Sequence, residues 1–270
     1  MIASGRRLRL AHLVVWTGWF IGKAACCLGD YGRAIGQLTE AADICDRIGD
    51  RAWNSRLLNT LGWCYGEIGS HEHAREFNRR AAVIARAIGD PEIVANSEIN
   101  LALDALALDD VAAAQVHLEP IRAGLERPGD PWMRWRYSLH AFDALGRVAL
   151  RTGAPEQALA LADEEAAGAR RHDVRKIEAR ALVLRGEALA TLERHEDAAA
   201  VLRDALRIAD EIGYPRAAWE ACAHLAAIER RAGRSDEAGR HLARRRAIVV
   251  VAGQSLTDTD LRRRLEATIA

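Results

Sequence analysis

The side chains able to do chemistry are few, and their spacing limits what they could do. His140 and Asp143 stand three residues apart, a spacing that puts both on one side of a helix and could pair a base with an orienting carboxylate. No serine or cysteine accompanies them in a nucleophile motif, so a structural ion pair is expected and no residue is assigned a catalytic role. His71 and His73, in His71-Glu72-His73, are two apart and point in different directions on a helix. The H-E-x-x-H pattern of a zinc helix is absent, and His172, His195, His224 and His241 are scattered, so no metal is expected. The five cysteines, Cys26, Cys27, Cys45, Cys64 and Cys222, include no C-x-x-C pair and are odd in number, which suits buried packing in a reducing, cytoplasmic setting. The only lysines, Lys23 and Lys176, lie outside any G-x-x-x-x-G-K-[ST] loop, and no cofactor is expected. Arg244-Arg245-Arg246 and Arg262-Arg263-Arg264 could touch phosphates, yet they lack interleaved aromatics, and the formal net charge is zero; no nucleic-acid partner is expected.

The elements that carry these groups are helices. Half of the 270 residues are apolar and 28% are charged, as in a folded globular chain. Small residues fall at Gly22, Gly62, Ala102, Gly146, Gly186 and Ala226, at intervals of 40, 40, 44, 40 and 40. A second series, Ala34, Ala74, Ala114, Ala158, Ala198 and Ala238, keeps the same intervals and follows the first by 12 residues each time. Between the two lie turns such as Leu28-Gly29-Asp30, Ile68-Gly69-Ser70, Leu108-Asp109-Asp110, Thr152-Gly153-Ala154-Pro155, Leu192-Glu193-Arg194 and Ala232-Gly233-Arg234-Ser235. Glycine suits a helix stop and proline a helix start. Each repeat is therefore a helical hairpin that cannot bury its apolar face alone, so copies must stack. The small residues allow close approach of antiparallel helices, where a larger side chain would overpack.

Six hairpins are expected, over about 12–50, 51–90, 91–130, 131–173, 174–214 and 215–250. Pro120 falls inside a helical pattern, where a kink is expected. The third hairpin ends in Arg127-Pro128-Gly129-Asp130. After a break at Val251-Ala252-Gly253-Gln254, the segment 251–270 closes the chain with one short helix, and Arg262, Arg263 and Arg264 supply it with a polar face. The amino-terminal apolar run, Leu13 to Gly22, is interrupted by Lys23, lacks a cleavage site and keeps the phase of the first repeat; a repeat helix is expected there, with no membrane role. No strand pattern of useful length is found.

Leu61-Gly62 with Tyr65 and Ala74 in the second repeat, Trp19, Ile21-Gly22, Tyr31 and Ala34 in the first, and Leu145-Gly146 with Ala158 in the fourth carry a family likeness. Over nearly its whole length the chain resembles the tetratricopeptide repeat superfamily, with units longer than the usual length of about 34 residues. Units ending Ile48-Gly49-Asp50 and Ile88-Gly89-Asp90, and the closing stretch Leu256 to Arg262, are similar to the carboxy-terminal repeat regions of large bacterial signal-transduction ATPases, including LuxR-like, MalT-like and cyclase-linked regulators.

The resemblance implies an all-α, right-handed α-solenoid whose concave face is lined by the first helix of each hairpin. Projected onto this sequence, that face receives Trp16, Trp19 and Lys23 from the first repeat, and Arg56, Asn59 and Trp63 from the second. Asn96 comes from the third repeat, and His140, Asp143, Arg147 and Arg151 from the fourth. Arg180 and Glu187 come from the fifth, and Glu220 and Arg230 from the sixth. Arginine can fork onto a partner's carboxylate, and tryptophan offers contact area. The family implies a protein- or peptide-binding scaffold or sensor arm, in a signalling or transcription-regulatory system, beside an ATPase or effector domain. The rivals are an enzyme site around His140, Asp143 and Arg147, and self-association through the amino-terminal edge.

Overall fold

The computed structural model describes residues 2–125 and 131–269, with side chains over 10–125 and 137–269; the break expected at Arg127-Pro128-Gly129-Asp130 lies outside them. Among the described residues the chain is entirely helical: α1 (Ile2–Cys27), α2 (Tyr31–Ile48), α3 (Arg51–Ile68), α4 (His71–Ile88), α5 (Pro91–Ala107), α6 (Val111–Leu125), α7 (Pro131–Arg151), α8 (Pro155–Arg171), α9 (Arg175–Thr191), α10 (His195–Ile212), α11 (Pro215–Arg231), α12 (Ser235–Gly253) and α13 (Thr259–Ala267). The architecture is an all-α repeat solenoid of helical hairpins.

Local chemistry explains where the helices stop and start. Gly49 closes α2 at φ 71°, a left-handed conformation that costs glycine little, and the N–H of Asp50 then reaches back to the Cys45 carbonyl at 3.0 Å. The side chain of Asp50 accepts from the N–H of Trp53 at 3.0 Å, capping α3. Gly89 and Asp90 repeat the arrangement, with Asp90 accepting from Ile93 N–H at 3.1 Å. Ile-Gly-Asp is thus a stop and a start compressed into three residues. Ser70 departs from the pattern, because its hydroxyl lies 2.8 Å from His73 Nδ1 and does not cap α4. Asp109, Asp173 and Glu193 occupy turns at φ 65°, 52° and 60°, where other turns place glycine. α6 continues through Pro120, and α12 runs on through Gly253, past the start of the break expected there.

The helices group into two compact units, α1–α5 with α13, and α6–α12 as far as Ala252. In the first unit each helix packs on the next from α1 to α5, and the first helices of the hairpins, α1, α3 and α5, also meet. The closing segment is tied to this unit. Gly32 N–H donates to Ser255 Oγ at 3.3 Å, α13 packs on α3, and Arg264 pairs with Glu72 at 3.0 Å. Arg262 turns back and donates to the carbonyls of Gly253 and Leu256, so only part of the Arg262–Arg264 run faces outward. The stretch Leu10–Cys27 of α1 is long and apolar enough to cross a membrane by length and composition, and 28% of it is buried within the fold.

In the second unit the same hairpin packing recurs from α6 to α11, with α9 lying beside both α7 and α11. The second-series alanines Ala34, Ala74, Ala114, Ala158 and Ala198 are fully buried, and Ala238 is 4% exposed. At the first series, a Cβ on Gly22 would fall 2.6 Å from Leu38, and one on Gly186 2.5 Å from Leu202; each leucine comes from the partner helix of the same hairpin. Two hairpins differ. At Gly62 the space is taken by the polar Asn78, and at Gly146 by Leu184 of the following hairpin, because the residue corresponding to Leu38 and Leu202 is Ala162, too short to fill it. The polar interiors described below start from these two hairpins and reach into their neighbours.

Candidate functional site

In the second unit α7, α9 and α11 are the first helices of consecutive hairpins, and charged side chains link all three. Asp143 of α7 is 1% exposed. One of its oxygens accepts from Arg147 Nε at 3.0 Å, one turn along the same helix, and the other accepts from Arg180 of α9. Arg147 Nη2 lies 3.7 Å from Glu220 of α11, whose other oxygen accepts from Arg216 Nε at 2.6 Å. The result is a ladder of alternating charge, Arg180–Asp143–Arg147–Glu220–Arg216. Beside it His224 Nε2 lies 3.8 Å from Glu187, and the Arg216 guanidinium sits 5.5 Å from the centre of the Trp219 ring.

The alternation is what makes burial tolerable, since an unpaired charge here would carry its full desolvation cost. Burial pushes the Asp143 carboxyl up, but Arg147 and Arg180 outweigh it and hold the group below its ordinary range. Burial likewise opposes ionisation of Glu220, and Arg216, Arg147 and Arg180 together hold it down to about 2. Asp143 is closed off, whereas Arg147 and Arg216 keep about a quarter of their side-chain surface, 24% and 26%. The ladder therefore meets the surface at Arg147 and Arg216, with the buried Asp143 carboxylate behind Arg147. With both oxygens engaged by arginine, Asp143 is an orienting group for those arginines.

A further carboxyl belongs to this cluster. Glu165 of α8 is 1% exposed, its Oε2 has no hydrogen-bond partner, and the charges acting on it are those of Asp143, Arg180 and Arg147. Burial and then the Asp143 charge push it well above the ordinary glutamate value, with the two arginines opposing.

The first unit places its residues differently. Trp16, Trp19 and Phe20 of α1 and Trp53 of α3 meet edge-on, with Trp19–Phe20 centroids 4.8 Å and Trp16–Trp53 centroids 6.0 Å apart. Lys23 lies 5.0 Å from the Trp19 ring centre and Arg56 5.9 Å from that of Trp53. Trp19 donates to Thr60 at 2.9 Å, Arg56 to Glu92 at 3.0 Å, and Trp63 to Glu67 at 3.0 Å. Asn59 belongs to the interior. It is 7% exposed and donates to Asn78 at 3.2 Å and Ser97 at 3.3 Å, while Asn78 donates to Asp104 at 3.3 Å and Asp104 lies 2.9 Å from His71 Nδ1. Asn96 is half-buried on α5. Burial raises the Asp104 carboxyl against the lowering effect of its His71 and Asn78 bonds.

Of the residues projected onto one face, the structure thus joins Asp143, Arg147, Arg180 and Glu220 in one ladder, and gathers Trp16, Trp19, Lys23 and Arg56 around another cluster. Glu187 adjoins the ladder through its His224 contact. Arg151 is exposed and pairs with Asp109 in a turn, and Arg230 is exposed near the end of α11; neither joins the ladder. His140 is half-buried one turn before Asp143. Sequence reasoning missed Arg216, His224, Asn78, Asp104 and above all Glu165. A signal existed for the last. Seven residues after each second-series alanine stand Ala41, Ala81, Ile121, Glu165, Ala205 and Arg245, and the three alanines are buried.

Residues 15–87 and 179–211 match the tetratricopeptide repeat family. Among solved structures, the chain is similar to a thermophilic tetratricopeptide repeat protein of Thermus thermophilus, at 25% identity and TM-score 0.48, over 80% of this chain and 98% of that one. It is also similar to a Signal Transduction ATPase with Numerous Domains that carries a tetratricopeptide repeat sensor, from Pyrococcus horikoshii, at 17% identity and TM-score 0.47, over 88% of this chain and 38% of that one. A third likeness is to the TPR2AB-domain of yeast Sti1 in complex with an Hsp90 peptide, at 15% identity and TM-score 0.37, over 94% of this chain and 98% of that one. No curated protein sequence matches it. One matched segment lies in each unit.

Proposed function

We propose that this chain of tetratricopeptide repeats is a scaffold that binds a protein or peptide segment, without catalysis of its own. The observation that carries the proposal is the charge ladder of the second unit. Arg147 is held by Asp143 and Glu220 and Arg216 by Glu220, each with about a quarter of its side chain accessible, which suits recognition of a carboxylate-bearing segment. Rigid neighbouring hairpins keep that geometry ready before the partner arrives, which limits the ordering cost of binding. The wider setting, a cytoplasmic sensor arm beside an ATPase or effector domain in bacterial signalling or transcriptional regulation, rests on the sequence likeness alone. The test is capture of partners from cells of the source organism by the wild-type protein and by an Arg147→Ala, Arg216→Ala variant, each checked for helicity. A partner recovered equally by both would place the binding surface elsewhere.

A specific observation favours a second reading, association through the amino-terminal edge. Leu10, Leu13, Val14, Trp16 and Phe20 of α1 are each 48–62% exposed, a larger apolar surface than single scattered residues present. Light scattering over a hundredfold concentration range tests it; a constant monomer mass would remove it.

A further inference from the structure

The inner face of α8 is made almost wholly of small residues. Ala158, Ala162, Ala166 and Ala169 are at most 2% exposed, and Glu165 lies among them at 1%. The equivalent position holds Ala41, Ala81 and Ala205 in three other hairpins, all buried, so the slot ordinarily has the volume and polarity of a methyl group. Substituting a carboxyl there invites a desolvation cost that no other hairpin with alanine incurs. The groups facing it are Asp143 and Arg147 from α7 and Arg180 from α9, with Glu220 of α11 behind Arg147. Both guanidiniums already donate to Asp143, and Glu165 Oε2 has no donor. Its neighbour Asp163 is half exposed and pairs with Arg185 at 2.7 Å.

We propose that Glu165 is a proton-linked latch of the second unit: it stays protonated in the closed fold, and its ionisation draws Arg180 away from Asp143 and loosens α8 from α7 and α9. Both guanidiniums are directed at Asp143 and neither reaches Glu165 Oε2, so an ionised Glu165 could be paired only by drawing Arg180 off Asp143; the neutral acid belongs to the closed arrangement and the anion to a loosened one. The sign follows from linkage. An exposed glutamate in the unfolded chain ionises above about pH 4.3, whereas in the fold the proton is retained. The contribution of Glu165 itself is therefore most favourable at and below that pH, declines as pH rises toward the folded group's higher value, and levels off beyond it.

The experiment compares the full chain with Glu165→Gln, a permanently neutral isostere, between pH 5 and 9. Hydrogen exchange, corrected for intrinsic rates, reads opening of α7–α9 in the wild type against the variant at each pH. The wild type should open in α8 by up to about tenfold more per pH unit within the window, and Glu165→Gln should not. Infrared spectroscopy of the wild type at pH 7 should show the C=O stretch of a neutral buried carboxylic acid, lost in the variant. Parallel pH profiles of wild type and variant, or no such band, overturn the proposal. Should Glu165→Gln fail to fold, Glu165→Ala, which restores the residue of three other hairpins, supplies the same comparison. No binding partner is needed, so failure here is distinct from failure of the scaffold reading.

Discussion

The two units use one repeat to enclose opposite kinds of polar interior. Three residues before the first-series position, the first unit carries Trp19, Asn59 and Ile99, and the second carries Asp143, Val183 and Ala223. Asn59 is satisfied by one amide and one hydroxyl, Asn78 and Ser97, groups that both donate and accept, and the Asp104 carboxyl enters only at one remove, through Asn78. Asp143 accepts only, and needs Arg147 and Arg180, which in turn need Glu220. An amide network tolerates the loss of a member with one bond unmade. A ladder of buried ions does not, because each removal leaves a charge without a counterion. The same backbone thus supports a forgiving interior and an exacting one, and the exacting one is where an accessible arginine edge occurs.

The largest expected contrast comes from Asp143→Ala against Asn59→Ala. The first should destabilise the second unit by about 3 kcal/mol, the second the first unit by about 1 kcal/mol, read as unfolding free energies in denaturant with exchange data to assign the unit. Equal costs would erase the distinction drawn above. Next, Gly186→Ala should cost about 2 kcal/mol, because the added Cβ would fall 2.5 Å from Leu202 in a packed apolar contact; Leu202→Ala in the same chain should make the glycine substitution nearly silent.

Acid sharpens the contrast further. Asp143 and Glu220 are held low in the fold, so their contribution is present in full above about pH 4.5 and is lost as pH falls, for Glu220 as it approaches about 2. Asp104 in the first unit is shifted the other way, and its contribution diminishes as pH rises above the ordinary aspartate value. Exchange at pH 2.5 and 5 should therefore show acid opening α7, α9 and α11 before α3–α5; the reverse order would refute the charge assignment. The smallest effect is a gain. Glu193→Gly relieves a left-handed non-glycine turn at φ 60° and should stabilise the second unit by about 1 kcal/mol, visible as a raised denaturation midpoint.

Much of this was legible along the chain because it is decided within a few residues. Gly49-Asp50 and Gly89-Asp90 stop one helix and cap the next using only neighbours, so the hairpins and their period could be read directly. What stayed hidden were pairings that cross hairpins. Arg180 reaches Asp143 across 37 residues, and no local rule distinguishes it from an arginine that faces water. Glu165, on a second helix, resembled a solvated acidic residue beside Glu164 until its position was aligned with Ala41, Ala81 and Ala205.

The sequence by itself determined the helices, their caps and the forty-residue rhythm, since hydrogen bonds and backbone sterics act over one or two turns. Only the tertiary structure decided that Asn78 fills the space over Gly62, that Leu184 replaces the missing side chain at Ala162, and that Ser255 meets Gly32 across 223 residues. Those outcomes depend on which side chains compete for the same volume and the same charge. That competition exists only once distant segments have been brought together.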